Sequence, residues 1–315
     1  MTDPTSSRED RPALVWARAA GLLVAMCALV FWVGLGSTGF SMSEGHRVAP
    51  AWEMIESGDF RVTRMFGEVY FRKPPGMMWA IAASTGLFGP TEFAARAVSA
   101  LACTLMVAAA WSFARRRWGA TAGLLAGIFQ AGTPLFWEAG RSAEIEGLHT
   151  LGVQLACLGL IDAVLPTGPR RAAPFAAILA GVAVAMLTKG PAGLPAVGAV
   201  LAALAITRPR PTESAGPPAR FTPAVLTLIA ALGASIAALW WIAQGVRAAG
   251  PAVTQSPGEF LWDTSKLGSI LLLPLTGLAA ALPGSLSVLG LTRVRQPRDP
   301  AIAALVIGGV LAAVA

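Results

Sequence analysis

The chain has 315 residues, of which 55% are hydrophobic and only 13% charged, and its mean hydropathy is +0.63. Soluble domains carry about a quarter charged residues, so this composition excludes a water-soluble globular protein and defines an integral membrane protein. The net charge of +7, from 24 Lys and Arg against 17 Asp and Glu, reads as topology marking. No basic and aromatic pattern of a nucleic-acid module accompanies it, so no nucleic-acid partner is expected.

Arg8, Arg11 and Arg18 precede an apolar run over residues 19–35. That run approaches the ~20 residues of a spanning helix and is longer than a usual signal core, and no clear small-residue cleavage site follows. It reads as an uncleaved anchor behind a cytoplasmic tail, residues 1–17. Further spans are expected at 93–114, 120–137, 145–165, 172–187, 191–206, 221–243 and 267–291, with a last beginning near Ala301. With 18–36 these make about nine, so 18–315 reads as one multi-pass transmembrane domain. The chain ends inside an apolar run, which suggests a truncated product.

Residues 75–89 are apolar but cover only about three-quarters of a span. If they do not cross, the clusters Arg115 to Arg117, Arg170 with Arg171, Arg208 with Arg210 and Arg220, and Arg293 with Arg295 and Arg298 share the side of Arg8, Arg11 and Arg18. That is what the positive-inside rule requires. The segment is therefore expected as an interfacial or re-entrant helix on the outer face. The outer face then receives nearly all the remaining acids, together with Arg141, Lys189 and Lys266.

The first outer loop, residues 37–92, holds the densest mixture of charges. Residues 44–57 read as a short amphipathic helix lying flat on the membrane, with Val48, Ala51, Trp52 and Ile55 on one side and Ser57 and Gly58 at its end. Residues 66–71 alternate weakly and suggest a brief extended segment. Pro74 and Pro75 then fix the backbone and hold Lys73 in a set direction. The fold class is thus an all-α integral membrane bundle with interfacial helices in its first outer loop.

Segments 43–60, 67–89, 93–119, 134–148 and 187–191, in that order, resemble the N-terminal membrane region of the glycosyltransferases that use polyprenyl-phosphate sugars. This is the protein O-mannosyltransferase and lipid A aminoarabinose transferase group, with the GT-C fold. The resemblance implies a lipid-linked sugar donor and a catalytic role for the first outer loop. That loop opens with Asp-Glu in the family, the aspartate serving as acceptor-activating base. Here the pair is Ser43-Glu44, so either Glu44 carries the role or the chain has diverged. The family's Lys-Pro-Pro stands as Lys73-Pro74-Pro75, its lysine being the phosphate ligand, and Arg72 replaces a common glutamate. A second carboxylate, expected in an Arg-x-Ala-x-x-Asp context, falls on Glu146, three residues after Ala143. Lys189, in Thr188-Lys189-Gly190-Pro191, matches a further turn on the same face.

Sugar transfer from a lipid phosphate needs a base at the attacking hydroxyl and cations on the departing phosphate. Glu44 or Glu146 can take the proton, and Lys73, Arg72, Lys189 or Arg141 can hold phosphate oxygens, with His149 and Tyr70 in support. Each has a plain structural reading beside this one. Glu44 can serve a helix dipole, Lys73 can snorkel to headgroups, and Lys189 and Arg141 can be interface anchors. Trp52, Trp79, Trp137, Trp240, Trp241 and Trp262 read first as an interfacial belt.

Glu146 and His149 share a helix face at the spacing of di-metal bundle ligands, but the partner carboxylates are not evident, so no metal site is assigned. Hydrogen bonding of His149 to Glu146 is the preferred reading, with a divalent metal left as a possible addition. The expected partners are membrane lipid, a polyprenyl-phosphate sugar, and a glycan, lipid or protein acceptor. The expected location is a bacterial cytoplasmic membrane with the site on its outer face. The rival reading is a transporter or flippase of a lipid-linked anion, in which the same cations would bind phosphate in passage. A catalytically dead scaffold is a third, motivated by Ser43.

Overall fold

A computed structural model describes residues 6–41, 43–167, 172–207 and 221–250. The expected spans at 267–291 and from Ala301 lie outside them. α1 (Ser6–Cys27) begins well before Arg18 and passes into one π-helical stretch, Ala28–Trp32. α2 (Gly45–Ser57) follows, then a two-stranded hairpin of β1 (Arg64–Met65) and β2 (Glu68–Val69), then α3 (Gly76–Phe88) and α4 (Glu92–Trp118). The run expected as one span at 120–137 divides into α5 (Ala120–Ala131) and α6 (Pro134–Gly140), because Pro134 has no N–H to continue the first helix. α7 (Ile145–Val164), α8 (Ala173–Lys189), a 3₁₀ turn at Gly190–Gly193, α9 (Leu194–Thr207) and α10 (Phe221–Ala248) are the remaining elements among the described residues.

Among the described residues four helical stretches are long and apolar enough to cross a membrane: Glu92–Trp118, Ile145–Val164, Ala173–Ala205 and Phe221–Ala248. Shorter apolar helices stand at Ala17–Trp32, Gly76–Phe88 and Ala120–Ala131. The α3 helix has 13 residues, or about 20 Å at 1.5 Å each, against a hydrocarbon core of about 30 Å. It packs on α2, α4 and α8 and leaves Leu87 and Phe88 exposed, which fits a helix lodged at one end of the bundle.

The tightest pairing is α7 against α8. Gly152 and Gly181 face each other so closely that a Cβ on Gly181 would lie 2.5 Å from the Gly152 carbonyl oxygen, and one on Gly152 would lie 2.6 Å from the Ala185 nitrogen. Small residues in register let these backbones meet, the usual device where lipid supplies no hydrophobic drive between helices. Contacts of Gly159 with Pro174 and Ile178 continue the seam, so the two helices run antiparallel, the start of α7 beside the end of α8.

Charge separates the two ends of the bundle. Arg116 and Arg117, closing α4, pair with Asp162 near the end of α7 at 2.7 and 2.8 Å. Glu144, Glu146 and Lys189 gather at the opposite end, where the loop between α1 and α4 folds over the helices.

Across that loop, α2 buries Val48, Pro50, Ala51 and Met54, and Gly58 ends it in the left-handed region, φ 70°. Of the side expected to lie on the membrane, Val48 and Ala51 are buried and Ile55 is 42% exposed, while Met54 is buried beside them. Phe66 and Gly67, both at positive φ, form the hairpin turn that the right-handed twist of paired strands favours. Arg61 docks this loop on α10, donating from Nε and Nη2 to the Trp241 carbonyl at 3.2 and 2.6 Å while its guanidinium lies 4.2 Å from the Trp241 ring. Gly245 leaves room for it, since a Cβ there would collide with Arg61 Nε.

Candidate active site

The polar end is built on one buried ion pair. Glu44 and Arg96 have side chains 2% and 5% exposed; Nε of Arg96 donates to Oε1 at 2.8 Å and Nη2 to Oε2 at 2.9 Å. Arg96 also donates to the carbonyls of Leu35, Thr38 and Gly39 and to the Thr38 hydroxyl. Glu44 further accepts from the backbone N–H and hydroxyl of Ser41 and, at 2.7 Å, from the N–H of Ala143. Burial alone would raise the Glu44 carboxyl, but the Arg96 side chain and the Ala143 and Ser41 amides overcome it and hold the group at about 2. An anion this committed makes a poor proton acceptor. Its geometry suits it instead to join the start of the loop, α4 and the turn before α7.

That turn carries two further carboxylates. Ala143 is held by Glu44, and the Glu144 carbonyl accepts from the Ser99 hydroxyl at 3.3 Å. Glu144 therefore stands at the N-cap of α7 and Glu146 in its first turn. Lys189 closes α8 beside them, its Nζ 3.2 Å from Glu146 Oε1, with side chains 32% and 49% exposed. A cation closing one helix and the positive N-terminus of another meet at one spot, where an anion is favoured. Lys73 is brought to the same group: burial first, then the charges of Lys189 and Arg47, lower its pKa from the ordinary lysine value, while Glu146 opposes them. Gly76, just beyond Lys73-Pro74-Pro75, presses α3 onto the end of α8, where a Cβ would meet the Leu187 carbonyl oxygen at 2.6 Å.

Of the residues singled out in the sequence, the structure thus brings Lys73, Lys189 and Glu146 together. Arg72 is exposed nearby, its guanidinium 5.9 Å from the Tyr70 ring. Tyr70 is buried, stacked at 6.2 Å on His46, and its backbone bonds to Thr63, so it packs the hairpin against the loop. Arg141 faces elsewhere: it donates to the carbonyls of Val30 and Val33 at 3.0 and 2.9 Å, closing the end of the first helix. His149 is turned to α8, where its Nδ1–H donates to the Ala185 carbonyl at 3.2 Å. Among the described residues no group of three or more His, Cys, Asp or Glu side chains could hold a metal ion.

Two residues escaped the sequence reading. Arg96 sits inside the apolar run 93–114, and a charge in a span is itself a signal of a buried partner. Arg47 lies 3.6 Å from Glu144 across the site, and nothing in the local pattern marked it out from the other loop arginines.

Fold and site together define a multi-pass helical membrane protein of GT-C type, with a cationic and carboxylate cluster at one end of the bundle. The chain belongs to the dolichyl-phosphate-mannose-protein mannosyltransferase family, whose model matches residues 72–242. It is similar to the undecaprenyl phosphate-alpha-4-amino-4-deoxy-L-arabinose arabinosyl transferase of Pseudomonas aeruginosa, with 32% identity over 173 residues, 54% of this chain and 31% of that protein. It is likewise 31% identical over 141 residues to the transferase of the same name from Aeromonas salmonicida, covering 44% of this chain and 26% of the relative. The matched segment spans about a third or less of these relatives' length. The crystal structure of ArnT from Cupriavidus metallidurans bound to undecaprenyl phosphate superposes with a TM-score of 0.72 at 24% identity, covering 94% of this chain and 57% of that one, which establishes the fold.

Proposed function

We propose that the chain forms the membrane catalytic region of a glycosyltransferase that moves a sugar from a polyprenyl-phosphate carrier to an acceptor at the outer face of a bacterial cytoplasmic membrane. The observation that carries this reading is the convergence of Lys73 and Lys189 with Glu146 at the start of α7. The arginine cluster at the other end of the bundle supports the orientation, since basic clusters mark the cytoplasmic side. The reaction for which the relatives are named supports the choice of donor class.

In the proposed step the acceptor hydroxyl or amine attacks the anomeric carbon of the donor sugar. The new bond forms as the carbon–oxygen bond to phosphate breaks, and the bonding pair leaves on the phosphate oxygen as polyprenyl phosphate. Lys73 and Lys189 stabilise that growing negative charge, with exposed Arg72 at the rim. Glu146 takes the acceptor's proton; its half-exposed side chain and its link to Lys189 leave lone pairs available, unlike Glu44. A single displacement inverts the anomeric centre. Glu44, with Arg96, positions the turn that carries Glu146, and Arg141 fixes the first helix beneath it.

Transfer from radiolabelled undecaprenyl-phosphate sugars into membrane acceptors tests the reading. Wild-type protein is expected to transfer, while Glu146→Gln and Lys73→Ala both fail by a factor of about 10² or more. Full activity in both variants would remove the roles assigned, and passage of donor across sealed vesicles without transfer would favour a transporter.

A further inference from the structure

The pair Arg47 and Glu144 has a feature that the other ion pairs lack. Its closest approach, Nε to Oε2, is 3.6 Å, too long for a hydrogen bond, with side chains 12% and 18% exposed. Among the described residues Arg47 Nε and Glu144 Oε1 are both buried without a hydrogen-bond partner. One is a donor and the other an acceptor, and they belong to a pair whose arginine acts on Lys73 together with Lys189 and Glu146. Native proteins rarely leave such atoms unpaired, and each exception calls for a reason. Neither residue is spent on local structure: Glu144 stands at the N-cap of α7 but makes no cap hydrogen bond, and the bond of Arg47 to its neighbour's carbonyl uses Nη1. The backbone around Glu144 is fixed by Glu44 and Ser99, so access to the two enclosed atoms falls to movement of the side chains.

We infer that Arg47 and Glu144 form a sugar-reading subsite that binds one hydroxyl of the transferred sugar, the hydroxyl oxygen accepting from Arg47 Nε while its proton is donated to Glu144 Oε1. A hydroxyl is both donor and acceptor, so it satisfies the two orphaned atoms at once. A phosphate oxygen does not fit, because it only accepts and would be repelled by Glu144. An ammonium does not fit either, because it only donates and would be repelled by Arg47. The subsite therefore selects a ring position bearing a neutral hydroxyl, and selection is strong because a sugar lacking it leaves both atoms unpaired again. This inference rests on the proposed donor class and adds to it which chain residues discriminate the sugar.

The test is binding to the detergent-solubilised full chain, measured by calorimetry, of undecaprenyl phosphate and of its glycosyl esters, including a series with single hydroxyls replaced by hydrogen. Wild type is expected to bind one glycosyl ester more tightly than bare undecaprenyl phosphate. Glu144→Gln and Arg47→Met should each weaken that ester about tenfold and leave bare undecaprenyl phosphate within about twofold. One monodeoxy ester should show the same tenfold loss on wild type and no further loss on either variant. The deoxy series uses only wild-type protein, so it decides the matter even if a variant fails to fold. Equal weakening of ester and bare phosphate would make Arg47 a phosphate ligand and overturn the subsite. Indifference of every deoxy ester would overturn it as well. Failure of wild type to bind bare undecaprenyl phosphate at all would bring down the donor assignment and the subsite together, which distinguishes the two failures.

Discussion

Glu44 and Arg96 meet across 52 residues of sequence in a side-on, doubly hydrogen-bonded pair that is almost wholly shielded from solvent. Removing one partner of a buried pair strands the other charge, at a cost of about 3–5 kcal/mol. Arg96→Met is therefore expected to destabilise the protein by that order. Glu44→Gln should also be severe, because its amide would turn a donor towards the N–H groups of Arg96, Ser41 or Ala143. Thermal melting in detergent checks both, and a loss under about 1 kcal/mol for each would show that the clamp is dispensable.

The same carboxylate sets an acid limit. Its folded pKa, about 2, lies below the reference value of 4.5, so its contribution to stability is complete above about pH 4.5 and is lost as pH falls towards 2. Melting temperature should fall over that window in wild type. In Arg96→Met the fall should be shallower, because the Arg96 side chain, the largest of the contacts that depress the group, is gone while the Ala143 and Ser41 amides remain.

The phosphate-binding role proposed for Lys73 predicts an alkaline limit on ligand binding. Burial and the charges of Lys189 and Arg47 lower its pKa, so it loses its proton at a lower pH than an ordinary lysine. Affinity for undecaprenyl phosphate should decline with rising pH, the decline starting below the ordinary lysine value of 10.5. Lys73→Arg should move that decline upwards, since guanidinium stays charged. A binding titration at stepped pH reads it, and an unchanged profile in Lys73→Arg would assign the limb to another group.

How much of this was legible beforehand follows from what each feature depends on. Among the described residues the apolar runs other than 120–137, and the short helix at 76–88 after Lys-Pro-Pro, depend on local pattern, and they stand as helices where the sequence indicates. The break at Thr133 and Pro134 was also local, but the apolar character on both sides concealed it. Arg141 illustrates the limit: its charge and its place at a helix boundary suit a phosphate ligand, yet its reach is settled by the nearby carbonyls of Val30 and Val33. The weakly alternating hairpin strands likewise took their register from the turn at Phe66 and Gly67.

The α7 and α8 seam gives a test that is independent of chemistry. Gly181→Leu would force a side chain into the Gly152 backbone and should prevent the helices from closing, with loss of folded protein. Gly198→Ala, on α9 with nothing within 4 Å of the new Cβ, should be tolerated. Size-exclusion profiles of the two variants compare them directly, and equal behaviour would mean that the seam can spread.

Orientation is checked by labelling. A cysteine at Glu68, exposed on the hairpin, should react with an impermeant maleimide on intact cells, whereas one at Thr121, near the start of α5, should react only after lysis. Cys27 and Cys103 are buried and Cys157 is partly so, which keeps the background low. The reverse pattern would invert the assigned topology.

The clamp also bears on how the chain is made. Arg96 lies within the first turns of α4, where an unpaired arginine costs less than the about 2.5–3.5 kcal/mol it costs at the centre of an inserting helix. Its counter-ion emerges from the ribosome 52 residues earlier. On the proposed topology the loop is exported first, and Glu44 would then stand as a docking point for the incoming arginine. Translocation of the loop would thereby lower the barrier to inserting the next span, and the order of residues along the gene would become an order of assembly.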